Sequence, residues 1–226
     1  LIELKGERPG IVTGHPEVSA NELEFTYELR TEPTWDNGDQ LSFEDIIFTF
    51  KANKCPLTNN PHAKPYLENL KDIVQDPENP RKFTMIMKKK YIQNVLFLTD
   101  YPVLQEAVFD PDHVLRNYTF EQFDNPDFNT DSKTDLNDWA TSFNHPNHSR
   151  NVEHLVGLGP YKWSDWKPGQ SFTLVKKKDH WTSKLTGPNP YETAYPDKVI
   201  FKINTDPNSQ SLEFKTQALD ASTYLP

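Results

Sequence analysis

The stretch Thr34–Phe50, "TWDNGDQLSFEDIIFTF", sets acidic residues and an asparagine around one glycine and then turns apolar. A calcium loop, half of a catalytic acid pair and a turn leading into a helix all use such a pattern. Spacing rejects the calcium loop. With Gly38 at the sharp bend, ligands are due at positions 37, 35 and 33, and Trp35 and Pro33 occupy two of them. The turn-to-helix reading fits. Asn37 and Gly38 tolerate positive φ. Ser42 stands three residues before Asp45, as in a capping box, and Glu44 adds charge where the helix dipole favours it. Ile46, Ile47 and Phe50 supply the buried stripe, Lys51 and Lys54 sit near the C-terminal end, and Pro56 forbids continuation.

Before this helix, "LEFTYELR" alternates Leu23, Phe25, Tyr27 and Leu29 with polar residues, the pattern of a strand with one wet face. After it, "YLENLKDIVQD", the turn "PENP" and "KFTMIMKKK" predict a helix end or strand, a tight connection and a strand. "VLFLTDYPVLQEAVF" is helix-like with a break at Pro102. Residues 124 to 154 are poor in aliphatics, but Leu136, Trp139, Ala140 and Phe143 fit one face of a short helix between loops. From Gly157, "GLGPYKWSDWKPGQSFTLVKKKDHW" predicts strand, type II turn at "KPGQ", strand. "DKVIFKIN" is a further strand. "DPNSQSLEFKTQAL" is a helix with Asp206 as its cap and Pro207 in its first turn. Strands and helices are mixed, which favours an α/β class.

The 226 residues suffice for one large domain or two small ones. A net charge of -9 argues against nucleic acid as a partner, because phosphate binding needs a positive field. The lysine triplets Lys88–Lys90 and Lys176–Lys178 end strand-like runs and are expected to be solvated. The single cysteine, Cys55, excludes an internal disulfide and a Cys-based zinc site. No apolar run approaches the roughly 20 residues of a membrane span. Starting at Leu1 and stopping at "STYLP", the chain is expected to be an excised piece of a longer protein.

Enzyme signatures are missing: there is no G-x-S-x-G elbow, P-loop or H-E-x-x-H. "GLGPYK" begins like a dinucleotide fingerprint, but Lys162 replaces its third glycine and Pro160 removes a backbone donor. "NHPNHSRNVEH" gathers His145, His148, Glu153 and His154. Pro146 and Asn147 break the helix that a shared metal would need, so a solvated loop is expected. Among the five tryptophans, Trp163, Trp166 and Trp181 would serve either as a stacking platform for sugars or peptides or as sheet packing. Packing is the commoner use, and Trp35 is read the same way.

In this order, the segments resemble the family 5 extracellular solute-binding proteins, the binding components of peptide, dipeptide and nickel ABC importers. The first resemblance is "FTYELRTEPTWDNGDQLSFEDIIFTFKA", a strand ending in Leu-Arg, a tryptophan, an Asp-Gly turn and an acid-capped helix, here with Asn37 inserted in the turn. The second is "GLGPYKWSDWKPGQSFTLVKKKDHW", similar to the family's Gly-Thr-Gly-Pro-Tyr and Pro-Gly hairpin, with Leu158 for threonine and His180 before Trp181. The third is "VIFKINTDPNSQSLEFKTQALDAS", where Gln217 and Ala218 stand in place of the usual Gly and Glu. The resemblance runs from about Leu23 to Ser222, and relatives are about twice this length.

The resemblance implies a periplasmic-binding-protein type II-like α/β fold: one lobe with an inserted small α/β domain. Residues 1–103 resemble that small domain and 104–226 the middle of the first lobe; the second lobe is absent from this chain. It implies a non-enzymatic, monomeric receptor, periplasmic or lipid-anchored on the outer face. Such a receptor captures oligopeptides or dipeptides between two lobes and delivers them to an ABC permease, with no cofactor and no metal. Tyr66 falls where peptide-binding relatives place an aromatic near the ligand, and Tyr161 of "GLGPY" is the second candidate contact. Gly157 and Gly159 are read as serving backbone geometry. Two other classes are carried beside this one. A carbohydrate-binding module with a tryptophan platform requires a compact all-β domain. A metal enzyme on the histidine loop would lose activity on His148→Ala.

Overall fold

The computed structural model describes residues 10–99, 101–146, 151–185 and 193–222. Its first sheet is built on β2 (Glu24–Glu28), which pairs antiparallel with β1 (Glu17–Val18) and β4 (Lys82–Met87). β3 (Leu70–Gln75) joins the other side of β4, giving the order β1-β2-β4-β3. The period-two reading holds: Phe25 and Tyr27 on β2, and Phe83, Met85 and Met87 on β4, are buried on one face. Against that face lies α1 (Phe43–Lys54), contributing Phe43, Ile46 and Phe50 to a common core. The capping box is present, Ser42 Oγ accepting from the Asp45 backbone and the Asp45 carboxylate accepting from the Ser42 backbone. Gly38 takes φ 91°, as the turn requires.

α1 has a second apolar face that the predicted stripe omitted. Phe48, Ala52 and Cys55 point away from the sheet into a second core with Leu115, Tyr118, Leu136 and Trp139. Short helices wrap that side. After α2 (Lys64–Leu67) and α3 (Asn94–Thr99) come α4 (Glu106–Phe109), α5 (Phe120–Asp124) and α6 (Thr134–Asn144). α6 buries Leu136, Trp139 and Ala140, as its sequence face predicts. Lys51 and Lys54, placed by sequence near the C-terminal end of the helix, are buried. The Lys51 Nζ donates to the Leu115 carbonyl at 3.0 Å, and the Lys54 Nζ to the Leu70 carbonyl and, at 2.9 Å, to Asp124. Burial lowers both ammonium pKa values, and for Lys54 the Asp124 hydrogen bond opposes the shift.

Tyr118 joins the second core to α6 through a 2.7 Å hydrogen bond to Asp135. Burial first, then that bond and the Asp135 charge, push its pKa from the ordinary 10.0 up to about 12. A folded pKa above the unfolded one means that the native state holds its proton more tightly. The stability it contributes is therefore complete below pH 10.0 and is lost as the pH rises through about 12. Tyr118→Phe is expected to cost about 1 kcal/mol near neutrality and to flatten this alkaline loss. Urea midpoints measured across the alkaline range decide it: an equally steep loss in the variant would remove Tyr118 as its source.

The second sheet is the meander β5 (Tyr161–Lys167), β6 (Ser171–Lys176) and β7 (Lys198–Lys202). Gly169, at φ 72°, makes the predicted turn between the first two, and the Gln170 N–H closes it on the Lys167 carbonyl at 3.0 Å. α7 (Pro207–Lys215) follows with Asp206 accepting from the amides of Asn208 and Ser209. The tryptophans divide: Trp35 and Trp181 are buried, while Trp163 and Trp166 are half-buried in a ring cluster with Phe172. The all-β architecture required of a carbohydrate-binding module is overturned by the helical layers. One lysine expectation also changes. Lys88–Lys90 are exposed, but Lys177 is not a solvated strand end; its side chain is 13% exposed and pairs with Asp36. The Asp36 carboxylate and the Gly157 carbonyl lie together near that end of β6 and offset the cost of burying its ammonium group.

Candidate functional site

A cleft of about 1290 Å³ opens beside the first core. Tyr27 from β2, Phe83 from β4 and Phe50 from α1 line it, with Tyr66 and Tyr101 also in its wall. The segment Val156–Leu158, which leads into β5, contributes a further side, and residues between Gly10 and Pro16 another. These positions follow from the local folding already described. Alternation turns Tyr27 and Phe83 to the same face of the sheet, where their rings stack at 5.7 Å. Phe50 lies one helical turn beyond Ile46 on α1 and meets the Tyr101 ring at 5.3 Å. The Tyr101 hydroxyl donates to the Ala63 carbonyl at 3.1 Å, tying the turn before α2 to the cleft.

The wall is apolar and aromatic, with phenols among its polar groups, a surface suited to apolar groups oriented by few hydrogen bonds. The Tyr27 hydroxyl is buried without a hydrogen-bond partner among the described residues, and burial raises its pKa. Such an atom gains from any ligand that offers it an acceptor or donor.

The two tyrosines singled out from the sequence are placed differently. Tyr66, on α2, lines the cleft and is half exposed (53%). Tyr161 begins β5, three residues beyond the Leu158 wall, and its hydroxyl donates to the Pro196 carbonyl at 2.8 Å. Gly157 and Gly159 do not occupy the left-handed region that favours glycine. Gly157 is instead held by its backbone: its N–H donates to Asp36 Oδ2 at 3.0 Å and its carbonyl accepts from Lys177 Nζ at 2.8 Å. Sequence reading also missed Tyr27 and Tyr101 as wall residues, since both carry the ordinary signal of a core aromatic. His145 and His154 belong to no group of three or more metal-capable side chains among the described residues, and His148 and Asn147 lie outside those residues.

The model of the bacterial extracellular solute-binding proteins, family 5 middle region, matches residues 7–226. The dipeptide-binding protein DppE of Bacillus subtilis is 22% identical over 92% of the chain and 33% of its own length. The oligopeptide-binding protein AppA of the same organism is 19% identical over 83% of the chain and 27% of its own length. The chain thus spans a third or less of these relatives, a smaller share than the half expected from the resemblance. Among solved structures, NikZ from Campylobacter jejuni in complex with Ni(L-His) superposes with a TM-score of 0.66 at 21% identity. That match covers 94% of the chain and 34% of NikZ, and at this identity it shows the fold alone.

Proposed function

Because the chain belongs to the bacterial extracellular solute-binding proteins of family 5, we propose that it is part of a receptor that captures peptides for an ABC importer and hands them to a membrane permease. The observation that carries the peptide reading is the aromatic cleft, walled by Tyr66 and by the Gly157–Leu158 segment. An aromatic wall accepts varied apolar side chains with little directional demand, while a peptide's main chain supplies hydrogen-bonding groups to the rest of a site. DppE and AppA are named for dipeptide and oligopeptide binding, which supports the same ligand class.

Tyr66 is the proposed ligand contact on this wall. Tyr161 is retained through its ring, its hydroxyl being engaged by Pro196. The small inserted domain is placed at residues 1–103 and the first-lobe portion at 104–226. The receptor acts as a monomer, without catalysis, outside the cytoplasmic membrane, in the periplasm or lipid-anchored. Ligand release and capture follow a shift between open and closed lobes.

Thermal unfolding of the full chain against a tripeptide mixture, with glycan and divalent-metal panels in parallel, tests this. Ligand at about 100 times its dissociation constant adds roughly 2.7 kcal/mol, a readily measured shift. Tyr66→Ala is expected to weaken peptide binding about tenfold, the loss of one stacked aromatic contact. Shifts with glycans or metal and none with peptides would end the peptide assignment.

A further inference from the structure

Four side chains from two distant segments converge on two consecutive residues of the cleft wall. Asp36, in the turn before α1, takes the Gly157 N–H at 3.0 Å. Lys177, just after β6, pairs with the same carboxylate and donates to the Gly157 carbonyl at 2.8 Å. The next carbonyl, that of Leu158, accepts from His180 Nε2 and Trp181 Nε1, each at 2.8 Å. His180 therefore carries its proton on Nε2, and its Nδ1 faces the Thr182 hydroxyl at 2.7 Å. Asp36 and Lys177 are each only 13% exposed, so water competes weakly for these bonds.

We propose that Asp36, Lys177, His180 and Trp181 are positioning residues. They hold Gly157–Leu158 as a preset rim of the cleft, and that rim selects an apolar ligand side chain. The selection follows from what the clamp consumes. The Gly157 N–H and both acceptor positions of the Leu158 carbonyl are already used, and the Gly157 carbonyl already accepts from Lys177, so this stretch has at most one of those acceptor positions left for a peptide main chain. What the rim presents to the cleft is the apolar surface of Val156 and Leu158. A polar ligand side chain placed there loses water without gaining a partner, whereas an apolar one gains contact. This inference rests on the peptide reading above.

Calorimetric titration of the full chain with Ala-Leu-Ala and Ala-Ser-Ala tests it. The wild type is expected to prefer the leucine peptide by about tenfold or more. Lys177→Met frees the rim and is expected to reduce that preference about fivefold, as misplacement of a binding wall does, while Lys177→Arg keeps it. Should Lys177→Met fail to fold, the double variant Asp36→Asn/Lys177→Met, which leaves no buried charge unpaired, takes its place. Lys54→Met removes another buried lysine, at the opposite end of α1 from Asp36, and serves as the stability control. It is expected to lower the unfolding midpoint yet leave the preference within about twofold. An unchanged preference in the Lys177 variants, or an equal loss in Lys54→Met, overturns the proposal. If the wild type binds neither peptide, the peptide reading falls first, and hydrogen exchange at the Gly157 amide then judges the clamp. Faster exchange in Lys177→Met with wild-type exchange in Lys177→Arg supports it; equal exchange in all three rejects it.

Discussion

Asp45→Ala is expected to lower the unfolding free energy by about 3–5 kcal/mol, because it strands several donors around one buried carboxylate. Its Oδ2 accepts from the Ser42 backbone at 3.0 Å, the Ser42 hydroxyl at 3.2 Å and the Trp35 indole at 3.2 Å. Its Oδ1 accepts from the Glu106 N–H at 2.9 Å, joining the start of α1 to the start of α4. Summing four charge-assisted bonds would overstate the loss. Burial already raises the Asp45 pKa despite all four bonds, so much of their strength offsets desolvation of the carboxylate. The net cost is set by the donors left behind, of which Trp35 Nε1 and the Glu106 amide have least access to water. Asp45→Asn separates the two accounts. Its single carbonyl oxygen can serve the Oδ2 cluster, but its NH2 then faces the Glu106 N–H, so about half the effect is expected. Urea unfolding of both variants measures this. A loss below about 1 kcal/mol for alanine would mean that water reaches these donors.

What could be read from the chain follows a physical divide. Local rules settled the alternation of Phe25 and Tyr27, the Ser42–Asp45 capping box, the Gly169 turn and the Asp206 cap, since each depends on residues within a few positions. Chemistry that spans the chain was hidden. The partner of Gly157 is Asp36, 121 residues away, and no spacing rule connects them. Lysines are read as solvated because ammonium groups are costly to bury, yet Lys51, Lys54 and Lys177 are each offset by carbonyls or carboxylates from remote segments. The same divide separates the candidate contacts. Tyr66 was reachable only through family resemblance, and Tyr27 looked like any core strand residue until its hydroxyl was seen beside the cleft with no partner among the described residues.

Phe48→Ala is expected to cost about 3–5 kcal/mol, the range for truncating a fully buried phenylalanine. The sequence stripe on α1, Ile46, Ile47 and Phe50, leaves Phe48 facing outward. In the fold its ring is 1% exposed and stands edge-on to Trp139, centroids 6.3 Å apart and planes at 90°. Positions 48, 52 and 55 follow i, i+4, i+7 spacing, so they form a face as regular as the one on the sheet side. A helix with two such faces is buried between layers, and its stability depends on both. Ile47 provides the internal comparison. It is only half-buried, so Ile47→Ala is expected to cost about 1–2 kcal/mol by area removed from water. A one-faced α1 predicts the opposite order, with Ile47 the costlier substitution. The double-mutant cycle with Trp139→Ala carries the argument one step further. The two rings share the second core, so their combined loss should fall short of additivity by about 0.5–1.5 kcal/mol, the range of an aromatic pair. Full additivity would place Phe48 and Trp139 in separate packing environments and remove the second face from α1.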